Sequence, residues 1–221
     1  MAFLLCVGFY GYGVMRKVGS SVGCPLTGRY MHMENLMESV RNLKGLLVDV
    51  STDLTFYNQI FGAVEKVEIL KEFSDWVFSN YQRCLADTIF TKLSKLLDPE
   101  KNFGFNNLSF KYVIDDASLT CDKDIKAAKE KLEVIFVKSG LKKYRNKVLA
   151  HNDALSIQNS INHSIHFENG IEHFLASMWE LFALIEFKSG METVLPSYGV
   201  GIRIPADLDG ETFLLKLKKC I

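Results

Sequence analysis

Hydrophobic positions recur along most of this chain at steps of three and four residues, the spacing of an α-helix. From Met33 to about Phe61 the run is Leu36, Val40, Leu43, Leu47, Val50, Leu54, Tyr57 and Phe61. It predicts a first helix, ended by Gly62, with a break near Ser51 left open. From Ala63 to Asp98 there is neither Gly nor Pro, and Leu70, Phe73, Val77, Tyr81, Leu85, Ile89, Leu93 and Leu96 form one continuous stripe. A long second helix follows. It closes at Asp98, because the residue before Pro99 is pushed out of the α region.

The stretch DPEKNFGFNN is turn chemistry, and Asn107 is placed to cap a short helix through Leu108, Tyr112 and Val113. A third long helix is predicted from about Asp122 to His151 on the stripe Ala128, Leu132, Phe136, Gly140, Tyr144 and Val148, with Gly140 a close-packing point or a kink. A fourth runs from about Asn169 to Lys188, with Ile171, Leu175, Met178, Phe182 and Ile185 inward and Gly190 just beyond its end. Helix returns near Glu211, and Val194 to Pro205 reads as a loop. The fold class is therefore all-α, with four to five principal helices.

Residues 1–30 stand apart. MAFLLCVGFYGYGVM is apolar, but Arg16 and Lys17 follow it, whereas a secretory signal carries its charge in front. Gly8, Gly11, Gly13, Gly19, Gly23 and Gly28 make residues 8–28 poor helix and poor strand. The expected organisation is a glycine-rich extension over residues 1–30, disordered or lying before the true start, and a single helical domain over 31–221. Starting the chain at Met31 or Met33 should shift the unfolding midpoint by only a few degrees.

The 221 residues are 48% hydrophobic and 24% charged, enough for one sizeable core. Lys plus Arg and Asp plus Glu number 26 each, so bulk attraction to nucleic acid or an anionic membrane is not implied. The five cysteines contain no CxxC pair and fit neither a disulfide framework nor a structural zinc site, which leaves a reducing cytoplasm as the expected compartment. No apolar run reaches the length of a membrane span.

Charge does concentrate locally. Between Lys126 and Lys147 the basic residues are Lys126, Lys129, Lys131, Lys138, Lys142, Lys143, Arg145 and Lys147, against Glu130 and Glu133 alone. A solvated helix face that complements the helix dipole explains this, and so does a surface for RNA phosphates formed by Lys138, Lys142, Lys143 and Lys147. On a wheel of about 100° per residue with Tyr144 at zero, Val148 falls at about 40°, His151 at about 340° and Arg145 at about 100°. His151 then shares the packed face with Tyr144, where a histidine is ordinarily a core residue.

His163, His166 and His173, with Glu168 and Glu172, invite a metal reading. They lie in a polar stretch without the HExxH spacing of a zinc hydrolase, so no metal is expected. No Walker loop or other cofactor fingerprint is present, so none is expected either. Trp76 and Trp179 fall in helical segments and are expected in the core.

The segment LKKYRNKVLAHND carries the pattern R-N-x4-H, with Asn152-Asp153 after the histidine. It resembles the HEPN superfamily, and most closely its phage abortive-infection branch. The upstream segment DWVFSNYQRCLADTIFTKLSKLLDPEKNFGFNNLSF is similar to that branch's long helix, Asp-Pro exit and Asn-Leu-Ser helix start. The resemblance spans about Leu36 to Lys188 and leaves the first thirty residues unmatched.

What the resemblance implies is a helical bundle that forms a homodimer through the motif helices and acts as a metal-independent endoribonuclease of toxin or phage-defence type. RNA would be its substrate and a cognate antitoxin its regulator. Arg145 and His151 would be catalytic, with Asn146 in support. The two diverge on one helix, whereas two antiparallel copies would interleave them. A dimerising or RNA- or nucleotide-binding module that cuts nothing, and a helical scaffold in which His151 is merely packed, remain open beside it.

Overall fold

The computed structural model describes residues 25–102, 104–149, 164–191 and 201–220, with side chains from Met33 onward. Helix α1 spans Pro25–Phe61 and α2 spans Val64–Leu96. A two-residue hairpin, β1 (Lys101–Asn102) and β2 (Phe105–Asn106), pairs Lys101 with Asn106 and Asn102 with Phe105. Helices α3 (Phe110–Asp116), α4 (Lys123–Lys138) and α5 (Leu141–Tyr144) follow, then a π-helix over Arg145–Leu149. Helices α6 (Gly170–Lys188) and α7 (Gly210–Lys218) complete an all-α architecture.

Helix α1 starts earlier than its hydrophobic period predicts, inside the stretch expected to be an extension. Pro25 suits a first helical position, where its missing N–H costs nothing, and a lone Gly28 costs only about 1 kcal/mol relative to alanine. The expectations for residues 1–24 lie outside the described residues. There is no break at Ser51. Its buried hydroxyl accepts a hydrogen bond of 3.0 Å from Trp179 Nε1, which ties α1 to α6, and its carbonyl takes the Thr55 hydroxyl at 2.8 Å. Gly62 does end α1, because a Cβ there would stand 2.3 Å from the Asn58 carbonyl oxygen.

The core gathers Val40, Leu43, Leu47, Val50 and Leu54 of α1 against Ile89, Leu93 and Leu96 of α2 and Phe174, Leu175, Met178, Phe182 and Ile185 of α6. Apart from Phe174, which the period does not mark, these are the positions that it selects. Polar ties cross the same faces. Lys44 reaches Glu186 at 3.2 Å, and Lys92 reaches Asp49 at 2.7 Å and Asp53 at 2.6 Å. A smaller cluster of Ile60, Phe61, Leu70 and Leu214 seats α7 on the α1–α2 corner.

Three local expectations are corrected. Ser74 leaves helical dihedrals (φ −169°, ψ 95°), and around this kink the α2 stripe is not buried: Leu70 before it and Ile89, Leu93 and Leu96 after it are buried, whereas Phe73, Val77 and Tyr81 are exposed. Trp76 goes out with them at 87% exposure, while Trp179 is in the core as expected. The cap of α3 is Ser109, whose hydroxyl accepts from the Tyr112 N–H at 3.3 Å, because Asn107 spends its amide on the Pro99 carbonyl at 2.9 Å. No helix among the described residues is long and apolar enough to cross a membrane.

A candidate active site on the Arg145–Asp98 pair

The single helix predicted from Asp122 to His151 is three pieces. Asp122 caps α4 by accepting from the N–H groups of Asp124 (2.9 Å) and Ile125 (3.1 Å). Those bonds and Lys188 hold its carboxyl below the ordinary aspartate value. Gly140 breaks the run with a left-handed φ of 75°. A Cβ there would also meet the Ser164 carbonyl oxygen at 3.0 Å. Gly140→Ala should therefore lower stability by roughly 1–2 kcal/mol, a drop of several degrees in a thermal melt. An unchanged midpoint would refute the claim that this turn requires glycine.

Beyond α5 the backbone widens into the π-helix, a form enriched at functional sites. Its angular advance per residue is not the α value, so the wheel assumed from sequence fails here. Val148, expected on the packed face, is 42% exposed. His151 lies outside the described residues.

Two neighbouring residues fasten this segment to α2. The Tyr144 hydroxyl donates to Asp87 Oδ1 at 2.9 Å, and its ring meets Phe90 edge-on at 6.0 Å. Burial, and then the Asp87 carboxylate, push the phenol pKa up. One residue on, both terminal nitrogens of Arg145 bond the two carboxylate oxygens of Asp98, Nη2 to Oδ2 at 3.0 Å and Nη1 to Oδ1 in a shorter contact. The pair is partly buried, with side-chain exposures of 28% for Arg145 and 16% for Asp98.

Arg145, catalytic in what the resemblance implies, has its fork docked on a carboxylate, and the guanidinium's remaining N–H donors make no bond among the described residues. Asp98 is the residue of this candidate site that the sequence does not single out. It was legible only as the residue before Pro99, where the helix has to stop.

Asp98 also lines a cleft of about 440 Å³ with Asp49, Lys92, Lys95, Asn106 and Asn107. Burial works against the Lys92 ammonium, but hydrogen bonds and charge from Asp49 and Asp53 outweigh it and raise its pKa. Lys92 is therefore neutralised locally, and Lys95 is the other cation of the cleft.

Of the remaining sequence candidates, Asn146, Lys138, Lys142, Lys143 and Lys147 are all exposed. Lys138, Lys142 and Lys143 make no ion pair among the described residues, unlike Lys129 and Lys131, which meet Glu133 at 3.3 Å and Glu180 at 3.4 Å. His166, His173, Glu168 and Glu172 lie around the start of α6, and His163 lies outside the described residues. No group of three metal-ligating side chains forms among the described residues.

Against protein-family models, curated proteins and solved structures, the chain finds no match. The functional reading rests on the residues themselves.

Proposed function

We propose that this chain is a metal-independent endoribonuclease of toxin or phage-defence type, built on a HEPN-like bundle and completed by a second copy. It would work in the cytoplasm under the control of an antitoxin. The observation that carries the reading is the fixed guanidinium: Arg145 is oriented by two bonds to Asp98 and lies close in sequence to Lys142 and Lys143, which make no ion pair among the described residues.

In this reading a ribose 2′-OH attacks its own phosphorus, and His151 takes the hydroxyl proton or supplies one to the departing 5′-oxygen. Arg145 hydrogen-bonds the phosphorane oxygens as charge builds on them. Asn146 orients the phosphate, and Lys138, Lys142, Lys143 and Lys147 hold the flanking RNA backbone.

The test is cleavage of a varied RNA pool in EDTA. The expected products carry a 2′,3′-cyclic phosphate, and DNA of the same sequence is spared because it lacks the nucleophile. Sedimentation at micromolar concentration should report about twice the 25.1 kDa chain mass, and a strict monomer would overturn the shared site. Lys142→Ala and Lys143→Ala should weaken RNA binding and flatten its salt dependence without changing the bond cleaved.

The second reading, a module that binds RNA or nucleotide without cutting, is favoured by one observation: Asp98 already neutralises the charge that catalysis needs. RNA bound but left intact by a folded dimer would decide for it.

A further inference from the structure

A second cleft, of about 370 Å³, opens between the end of α4 and the start of α6 and shares no lining residue with the cleft at Asp98. The segment before α6 is held across the α4 break, where the His166 N–H donates to the Ser139 carbonyl at 2.9 Å. An aromatic wall backs it: Phe174 stacks on Phe136 at 6.3 Å and meets the half-buried Phe167 at 5.2 Å. Lys138, His166, His173 and Glu168 stand around this wall.

Among the described residues, none of those four side chains has a hydrogen-bond or ion-pair partner. Elsewhere lysines facing carboxylates close on them, as Lys44, Lys92, Lys111 and Lys188 do. Lys138 and Glu168 line one cleft and do not meet. A cleft with an apolar wall and convergent, uncommitted polar groups is the usual form of a small-molecule site.

We propose that this cleft binds a small organic phosphomonoester. Lys138, His166 and His173 offer donors for the three terminal phosphate oxygens. The Phe167 wall takes an apolar ring, and Glu168 accepts from a hydroxyl or amine on it. Inorganic phosphate alone would leave most of the volume unfilled. This site is separate from the ribonuclease reading, which uses Lys138 only as a backbone contact.

The experiment is calorimetric titration of the full chain with phenyl phosphate, inorganic phosphate and phenol at neutral pH. Phenyl phosphate should bind saturably and at least about tenfold more tightly than either fragment, since each supplies only half of the contacts. Amide shifts on binding should centre on residues 134–140 and 164–174. The double variant His166→Gln/His173→Gln should weaken phenyl phosphate about tenfold or more. Lys138→Met, at an exposed position that does not threaten folding, should weaken it similarly. Phe167→Ala should abolish the preference over inorganic phosphate.

Arg145→Ala should leave this binding intact even where it ends RNA cleavage. Phenyl phosphate binding no tighter than inorganic phosphate, or undiminished by Lys138→Met, would overturn the proposal.

Discussion

Arg145→Ala should cost the cleavage reaction roughly 10² or more in rate, and His151→Ala a similar factor, the scale of losing one charge-stabilising or one acid–base group. Asp98→Asn separates positioning from charge. It removes the carboxylate that docks the fork while leaving an oxygen acceptor of the same shape. The freed guanidinium should grip ground-state phosphate more tightly and the transition state less well, so kcat and KM should both fall. A role for Asp98 in folding alone would lower the melting temperature and leave both kcat and KM of the folded protein unchanged. Full activity in Arg145→Ala would remove the ribonuclease reading, and His151→Ala that lost only thermal stability would return that histidine to the core.

Phe182→Ala should lower unfolding free energy by about 3–5 kcal/mol, the cost of emptying a fully buried ring site. Phe182 has no exposed surface, meets the Trp179 ring edge-on at 5.8 Å and carries the Lys44 ammonium 5.9 Å from its ring centre. At about 2–4 °C per kcal/mol for a chain of this size, the midpoint should fall by roughly 6–20 °C. Trp76→Ala removes a larger ring from an open surface and should shift it by no more than about 0.5 kcal/mol. Equal losses at the two positions would contradict the burial described for α2.

Where one face of a helix meets the core over its whole length, the hydrophobic period located it. Helix α6 shows this best: of its predicted inward residues, Leu175, Met178, Phe182 and Ile185 are buried and Ile171 at its start is half-buried. The same rule misplaced Phe73, Val77 and Tyr81, which flank the non-helical Ser74, because periodicity carries no signal of a local kink; beyond it Ile89, Leu93 and Leu96 are buried again as the period predicts. The motif suffered the same way. Gly140 reads from sequence as a kink or a packing point, but periodicity carries no signal of the change from α to π geometry after Tyr144, nor of the Tyr144–Asp87 bond to α2 beside it. Asp98 was hidden for a simpler reason: a residue with an evident structural task offers no cue that it has a second.

The two tryptophans, one exposed on α2 and one buried in α6, make the chain its own optical probe. Trp179, 4% exposed and donating to Ser51, should emit at short wavelength and resist iodide. Trp76 should emit at long wavelength and be quenched readily. Unfolding would then be read from the first as a red shift. Any partner that settles on the outer face of α2 would be read from the second as protection from the quencher, with no label added.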